Sequence, residues 1–216
     1  MYKDLLKLKS GTDIRGVALE GEPNQPVQLT DKTVYAIARA FAKWVSDKYG
    51  KTDLTVAVGR DCRLSGERIE GQVVSALCDS GFSVIRCGLC TTPAMFMTTV
   101  LKDCDAAISI TASHHPYNRN GLKFFVREGG LEGADISDIL NITLSGDTIS
   151  GDGKVADCAT LSSWVISTTV RPQPFISWKI SIISSRIPPS RLPVGSSAKI
   201  SGGSAATALA IAIRCC

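Results

Sequence analysis

The chain has 216 residues, 24 Lys and Arg against 20 Asp and Glu, and a formal net charge of +4. All 20 acids fall in residues 1–157 beside 18 of the basic residues, a net −2, so this part gives no electrostatic case for a nucleic-acid partner. No apolar run approaches the roughly 18–20 residues needed to cross a bilayer, and the charged first ten residues lack the apolar core of a secretory signal, so the expected setting is soluble and intracellular.

In chain order, Thr30 is placed to cap a helix whose apolar positions Val34, Ile37, Ala38, Phe41 and Val45 recur with helical period, and Gly50 stands where its carboxyl-terminal cap belongs. Residues 54–58 are a short β-branched apolar run ended by Gly59, which fits a buried strand. Ser65 is the expected cap of a second helix with Ile69, Val73, Ala76 and Leu77 inward and Gly81 closing it. Residues 82–86 follow as a strand, 92–101 as a shorter helix and 106–110 as another buried strand. That alternation predicts right-handed crossovers in an α/β fold: a three-layer α/β/α domain with a mainly parallel sheet. A polar loop over residues 111–121 precedes a further strand at 122–126. Beyond about residue 145 the pattern degrades, so residues 1–145 are read as the domain and 146–216 as a tail without an assignable fold.

Eight cysteines lack the spacing of a small secreted disulfide scaffold. Cys87-Gly-Leu-Cys90 has redox or zinc spacing, but it follows a strand and has no second ligand pair, so buried structural thiols are the preferred reading. From residue 158 onward there are six basic residues, no acid and twelve serines in 59 positions, with prolines scattered and no sustained period. Such a tail reads as a translated non-coding stretch, or as a disordered extension despite its Ile and Trp.

The chemistry-bearing segment is Thr111-Ala-Ser-His-His-Pro-Tyr-Asn-Arg-Asn-Gly-Leu-Lys123. It gathers a hydroxyl, the chain's two histidines, a guanidinium and an ammonium on a loop following a strand, where α/β folds keep their ligands. Phosphoryl transfer needs positive charge around the equatorial oxygens and a group to move the proton of the attacking hydroxyl, and these residue types supply both. A solvated Asn- and Pro-rich turn has an equal claim on the same residue types.

Thr111-Ala-Ser-His-His-Pro followed by Asn120-Gly-Leu-Lys123 resembles the active-site loop of the α-D-phosphohexomutase superfamily, the phosphoglucomutases and phosphomannomutases. Gly11-Thr-Asp-Ile-Arg-Gly16 resembles its opening strand motif, and Gly59-Arg-Asp-Cys-Arg-Leu-Ser65 its Gly-Arg-Asp-x-Arg segment. The resemblance runs from about residue 10 to about 145 and covers the amino-terminal domain alone; Tyr117-Asn-Arg-Asn-Gly-Leu-Lys-Phe-Phe points toward a plant or algal-type branch. It implies that Ser113 is the phosphoserine, moving a phosphoryl group between the C1 and C6 hydroxyls of a hexose phosphate, glucose or mannose 1- or 6-phosphate. It implies that His114 and Lys123 assist proton transfer or hold phosphate, that Arg15, expected on an opening loop, points into the same site, and that Mg2+ binds an oxygen of the Ser113 phosphate. Arg60 and Arg63 either orient the loop or make ordinary salt bridges. His115 stands where the family usually has Asn.

The family's Asp-Gly-Asp-Gly-Asp-Arg metal loop, its sugar-recognition loop and its fourth-domain phosphate clamp are not found; Gly151-Asp-Gly-Lys154 offers a single carboxylate. The expectation is therefore a truncated mutase inactive by itself, with a non-catalytic phosphosugar-binding or regulatory module as the alternative. The expected location is the cytoplasm, with the plastid as the alternative that plant or algal relatives raise. Sugar epimer and oligomeric state stay open.

Overall fold

The computed structural model describes residues 5–21 and 23–158, so the tail reading for residues 159–216 lies outside the described residues. A 3-10 turn, Leu5–Leu8, leads into β1 (Lys9–Ser10) and β2 (Asp13–Val17). There follow α1 (Asp31–Tyr49), β3 (Thr55–Arg60), α2 (Gly66–Cys78), β4 (Ser83–Leu89), α3 (Thr92–Leu101), β5 (Ala106–Ile110), β6 (Arg119–Val126), β7 (Gly129–Gly130), α4 (Gly133–Ser145) and β8 (Val155–Asp157).

α1 forms for the reasons its sequence announces. The Thr30 hydroxyl accepts the Thr33 amide, Gly50 ends the helix in the left-handed region at φ +63°, and Val34, Ile37, Phe41 and Val45 are wholly buried. Each large apolar side chain so buried contributes on the order of 1.5–3 kcal/mol. α2 buries the expected stripe, but Ser65 does not cap it: the hydroxyl makes no cap bond and instead accepts from Asn120 Nδ2 at 2.9 Å. Buried Asn120 has no water to turn to, and its amide takes the hydroxyl.

Strand order is β1-β2-β6-β5-β3-β4-β8, with β7 on β6. β5, β3, β4 and β8 run parallel, giving the parallel centre expected from the strand and helix alternation. β6 is antiparallel to β5, and β2 to β6. That reversal follows from the connection: residues 111–118 join β5 to β6 with no helix, and a direct loop cannot make a parallel crossover.

Successive strand residues alternate between two cores. Val56, Val58, Ile108, Leu122 and Phe124 pack with the inward faces of α1, α2 and α4, where the Phe41 ring packs tilted against Phe124 at 4.7 Å between ring centres. Ala57, Ala107 and Phe125 face the other way, onto Met95 of α3 and onto Cys87, Cys90 and Cys104. These are the three layers expected.

Besides the two-residue strands β1 and β7 and the 3-10 turn, a helix and a strand escape the sequence reading. α4 has Ile136, Ile139, Leu140 and Thr143 buried at helical spacing and is started by a reciprocal box in which the Glu132 amide donates to Asp135. β8 lies beyond residue 145 and pairs with β4 from Val84 to Arg86. The Gly151-Asp-Gly turn delivers it: a β-carbon at Gly153 would stand 2.1 Å from the Phe82 carbonyl oxygen, and one at Gly151 2.6 Å from Gly81 Cα. Its glycines are there for close passage of the chain.

Candidate functional site

The site is built on the two strands that flank the direct β5–β6 connection. Thr111, one residue past β5, donates its amide to the Gly121 carbonyl at 3.1 Å, and its hydroxyl accepts the Ser113 amide at 3.1 Å. Those two bonds lift Ser113 to the exposed tip of the loop in the left-handed region, φ +57°. A serine there is strained relative to glycine, and such strain clusters at functional positions. Its hydroxyl lies 3.4 Å from His114 Nδ1, and the His114 and His115 rings stack with centres 5.3 Å apart.

Arg63 holds this loop from below. One terminal nitrogen donates to the carbonyls of Pro116 (2.7 Å) and Arg119 (3.0 Å), the other to those of Ser113 (2.8 Å) and His115 (2.7 Å). Asp61 Oδ2, 3.4 Å from Arg63 Nε, steadies the guanidinium. The planar fork suits this work, because its donors are fixed in one plane and always charged. Of the two readings open for the Gly59-to-Ser65 segment, Arg63 takes the loop-orienting one. Arg60 takes the other: it reaches Glu70 at 3.0 Å and Glu67 at 2.7 Å and ties β3 to α2.

Arg15 and Lys123 come together through a residue the sequence reading did not single out. Arg15 sits in the middle of β2 rather than on a loop, because that segment pairs continuously with β6 from Asp13 to Val17. Asp13, two positions earlier and on the same face, is 4% exposed; its carboxylate accepts from Arg15 at 2.6 Å through one oxygen and from Lys123 at 2.7 Å through the other. Alternation along a strand places i and i+2 together, so the acid was findable from its spacing to Arg15. Gly121, opposite Arg15, leaves room for this arrangement: a β-carbon there would meet Ile14 O at 2.7 Å, Arg15 Cγ at 2.8 Å and Thr111 O at 2.9 Å.

The predicted residues thus form two pairs, Ser113 with His114 and Arg15 with Lys123, and His115 senses both. Its imidazole pKa is held below the ordinary value by burial and then by the positive charges of Arg15 and Arg119, with His114 and Arg63 adding to the effect. His115 thus stands among positive charges on the same loop that carries the exposed Ser113 hydroxyl.

Magnesium is less well served. Ser113 supplies at most one oxygen through a phosphate, and among the described residues no group of three or more His, Cys, Asp or Glu side chains gathers to hold a metal ion. The described residues do not complete the ligand set a magnesium ion requires.

Residues 7–149 match the family pattern of phosphoglucomutase/phosphomannomutase, alpha/beta/alpha domain I. The chain is 34% identical over 137 residues to a phosphoglucosamine mutase of Exiguobacterium sibiricum, covering 63% of this chain and 28% of that protein. It is 33% identical over 157 residues to the phosphoglucosamine mutase of Lactiplantibacillus plantarum, 68% of this chain and 33% of the other. A crystal structure of a phosphoglucomutase/phosphomannomutase family protein from Burkholderia thailandensis superposes with a TM-score of 0.61 at 26% identity, over 73% of this chain and 34% of that one. The chain spans about a third or less of the length of these relatives. It belongs to the phosphoglucomutase/phosphomannomutase family, whose members are phosphomutases, and corresponds to their α/β/α domain I.

Proposed function

We propose that this chain is the phosphoserine domain of a phosphohexose mutase, in which phosphorylated Ser113 gives its phosphoryl group to a hexose monophosphate and then takes back the other phosphate of the resulting bisphosphate, and that alone it turns over no hexose phosphate. The observation that carries the reading is the exposed Ser113 hydroxyl in left-handed backbone, 3.4 Å from an imidazole nitrogen, on a loop held by four bonds to one arginine.

In the loading step the Ser113 oxygen bonds to phosphorus as the bond from phosphorus to the sugar oxygen breaks. The hydroxyl proton passes to His114 Nδ1, which faces it, in the tautomer that leaves this nitrogen free, and from there to the departing sugar oxygen, which leaves as a hydroxyl. Arg15 and Lys123 meet the dianion by sharing the charge they now give to Asp13. Asp13 thereby keeps two cations in place and desolvated before phosphate arrives.

The sugar is a hexose or hexosamine phosphate; glucose and mannose phosphates follow from the motif, and glucosamine phosphate from the names of the relatives. The plant or algal branch rests on the segment from Tyr117 to Phe125, a cytoplasmic location on the sequence's composition and charged first residues, and the plastid alternative on that branch. The second reading is a non-catalytic module that binds phosphosugars or docks on a full-length mutase, and ligand binding without turnover would favour it.

The test is to incubate the purified 216-residue chain and its Ser113→Ala variant with glucose 1,6-bisphosphate and Mg2+, then measure intact mass and mutase turnover. One phosphate on the parent chain, none on the variant and no turnover is expected. No phosphate uptake favours the binding module, and sustained turnover refutes the claim that the chain is inactive alone.

A further inference from the structure

The sheet face opposite the large core carries a second cluster of reactive groups: Cys87, Cys90 and Cys104, with Cys158 packed against them. Two of these cysteines are held as a pair by backbone geometry. Between β3 and β4 the register runs Val58 to Arg86 and then Gly59 to Gly88, so Cys87 is the extra residue of a bulge. Gly88 follows in the left-handed region, φ +63°, and turns the chain back, so that Cys90 donates its amide to the Arg60 carbonyl at 2.8 Å.

The result is that both thiol-bearing carbons lean over Gly59. A β-carbon at Gly59 would lie 2.5 Å from Met95 Sδ, 3.2 Å from Cys90 Cβ and 3.3 Å from Cys87 Cβ, so both cysteines border the same space over this glycine. The Cys90 sulfur reaches the Cys87 carbonyl oxygen at 3.5 Å. Disulfides need β-carbons about 3.5–4.5 Å apart, and two cysteines that border one space at a bulge reach this by a local shift of the end of β4.

We propose that Cys87 and Cys90 form a redox-active dithiol that a low-molecular-weight disulfide converts into an intramolecular disulfide. This rests on geometry independent of the mutase reading. The two thiols are not equivalent. Cys90 is 7% exposed and Cys87 2%, and Cys90 immediately precedes Thr91, the residue that caps α3. The hydrogen bond between the two thiols lowers the Cys90 pKa and, with burial, raises that of Cys87.

Cys90 is therefore the attacking sulfur. As the thiolate it attacks one sulfur of the external disulfide, whose S–S bond breaks; one thiol leaves and a mixed disulfide forms on Cys90. Cys87 releases its proton to solvent and attacks the Cys90 sulfur, and the second external thiol departs. The pair loses two electrons and two protons, and the external disulfide is reduced to two thiols.

Trypsin makes the test direct, because cleavage after Arg86 and Lys102 yields a peptide, residues 87–102, holding these two cysteines and no other. The full chain is treated with glutathione disulfide, alkylated under denaturing conditions, digested and weighed. The expected peptide is two hydrogens lighter than the dithiol form and takes no alkyl group, whereas exposed Cys62 carries a glutathione adduct. In Cys87→Ser the reaction is expected to stop at a glutathione adduct on Cys90. A doubly alkylated 87–102 peptide beside a modified Cys62, or Cys90 cross-linked to Cys104 or Cys158, overturns the proposal. If the serine variant does not fold, the parent peptide mass decides alone.

Discussion

At the scale of single residues, Ser113 is held in a conformation that serine disfavours, and the strain has a measurable worth. Left-handed backbone costs an L-residue about 1–2 kcal/mol, which glycine escapes apart from its larger loss of chain entropy. Ser113→Gly should therefore raise the unfolding free energy by about 1 kcal/mol in thermal or urea melts while abolishing phosphate uptake. A variant destabilised by this change would show that the hydroxyl contributes more to the loop than the backbone strain costs.

His115 gives a pH prediction. Burial and the surrounding guanidinium groups keep it proton-free in the folded chain to a pH below the ordinary imidazole value of about 6.5. Between the folded value and about 6.5 the unfolded chain binds more protons, so this contribution is complete above about pH 6.5 and is lost as pH falls toward the folded value. His115→Asn should remove that part of the acid dependence. Phosphate on Ser113 adds negative charge nearby and should move the His115 titration upward, followed by the imidazole proton shifts in NMR.

At the scale of elements, Gly121 is where β2, β6 and the Ser113 loop meet. Gly121→Ala presses a methyl group against two backbone oxygens that cannot swing aside. The expected cost is about 1–3 kcal/mol, read as a lower urea midpoint at an unchanged slope. An unchanged midpoint would mean that β2 and β6 separate at little cost.

How far elements were legible follows from what defines each. α1 declares itself locally, through its caps and apolar period, and both α1 and α3 were bounded from the sequence. α4 has the period but is started by Glu132 and filled with Ile136, Ile139, Ile142 and Thr143, β-branched residues that weaken a helix signal. β8 has three exposed residues and no alternation; only its pairing with β4 makes it a strand. Ser65 looked like a cap until the fold brought Asn120 beside it. At the site, motif spacing marked Ser113, His114, Lys123 and Arg15, but the carboxylate joining the last two and the four carbonyls under Arg63 are products of tertiary pairing.

At the scale of the whole molecule, the sheet fuses these parts into one layered body that includes β8. Val84 donates its amide to the Lys154 carbonyl, and Arg86 pairs with Asp157 at 2.9 Å, so the β4 edge is covered by residues past 145. A chain ended at residue 145 should unfold at lower urea than one ended at 158, by an amount on the order of 1–3 kcal/mol from the lost ladder bonds. Equal midpoints would assign β8 no part in the cooperative unit.

The grip of Arg63 has a consequence for how such a loop changes over generations. It grasps carbonyl oxygens, which every amino acid carries alike, and none of the side chains it passes under. The contour of the loop is thereby insulated from the identity of the residues along it, and a histidine at 115 occupies the same track that an asparagine would. Substitutions between Ser113 and Arg119 retune charge and proton affinity while the path of the chain stays put, leaving chemistry at this loop free to drift on a fixed rail.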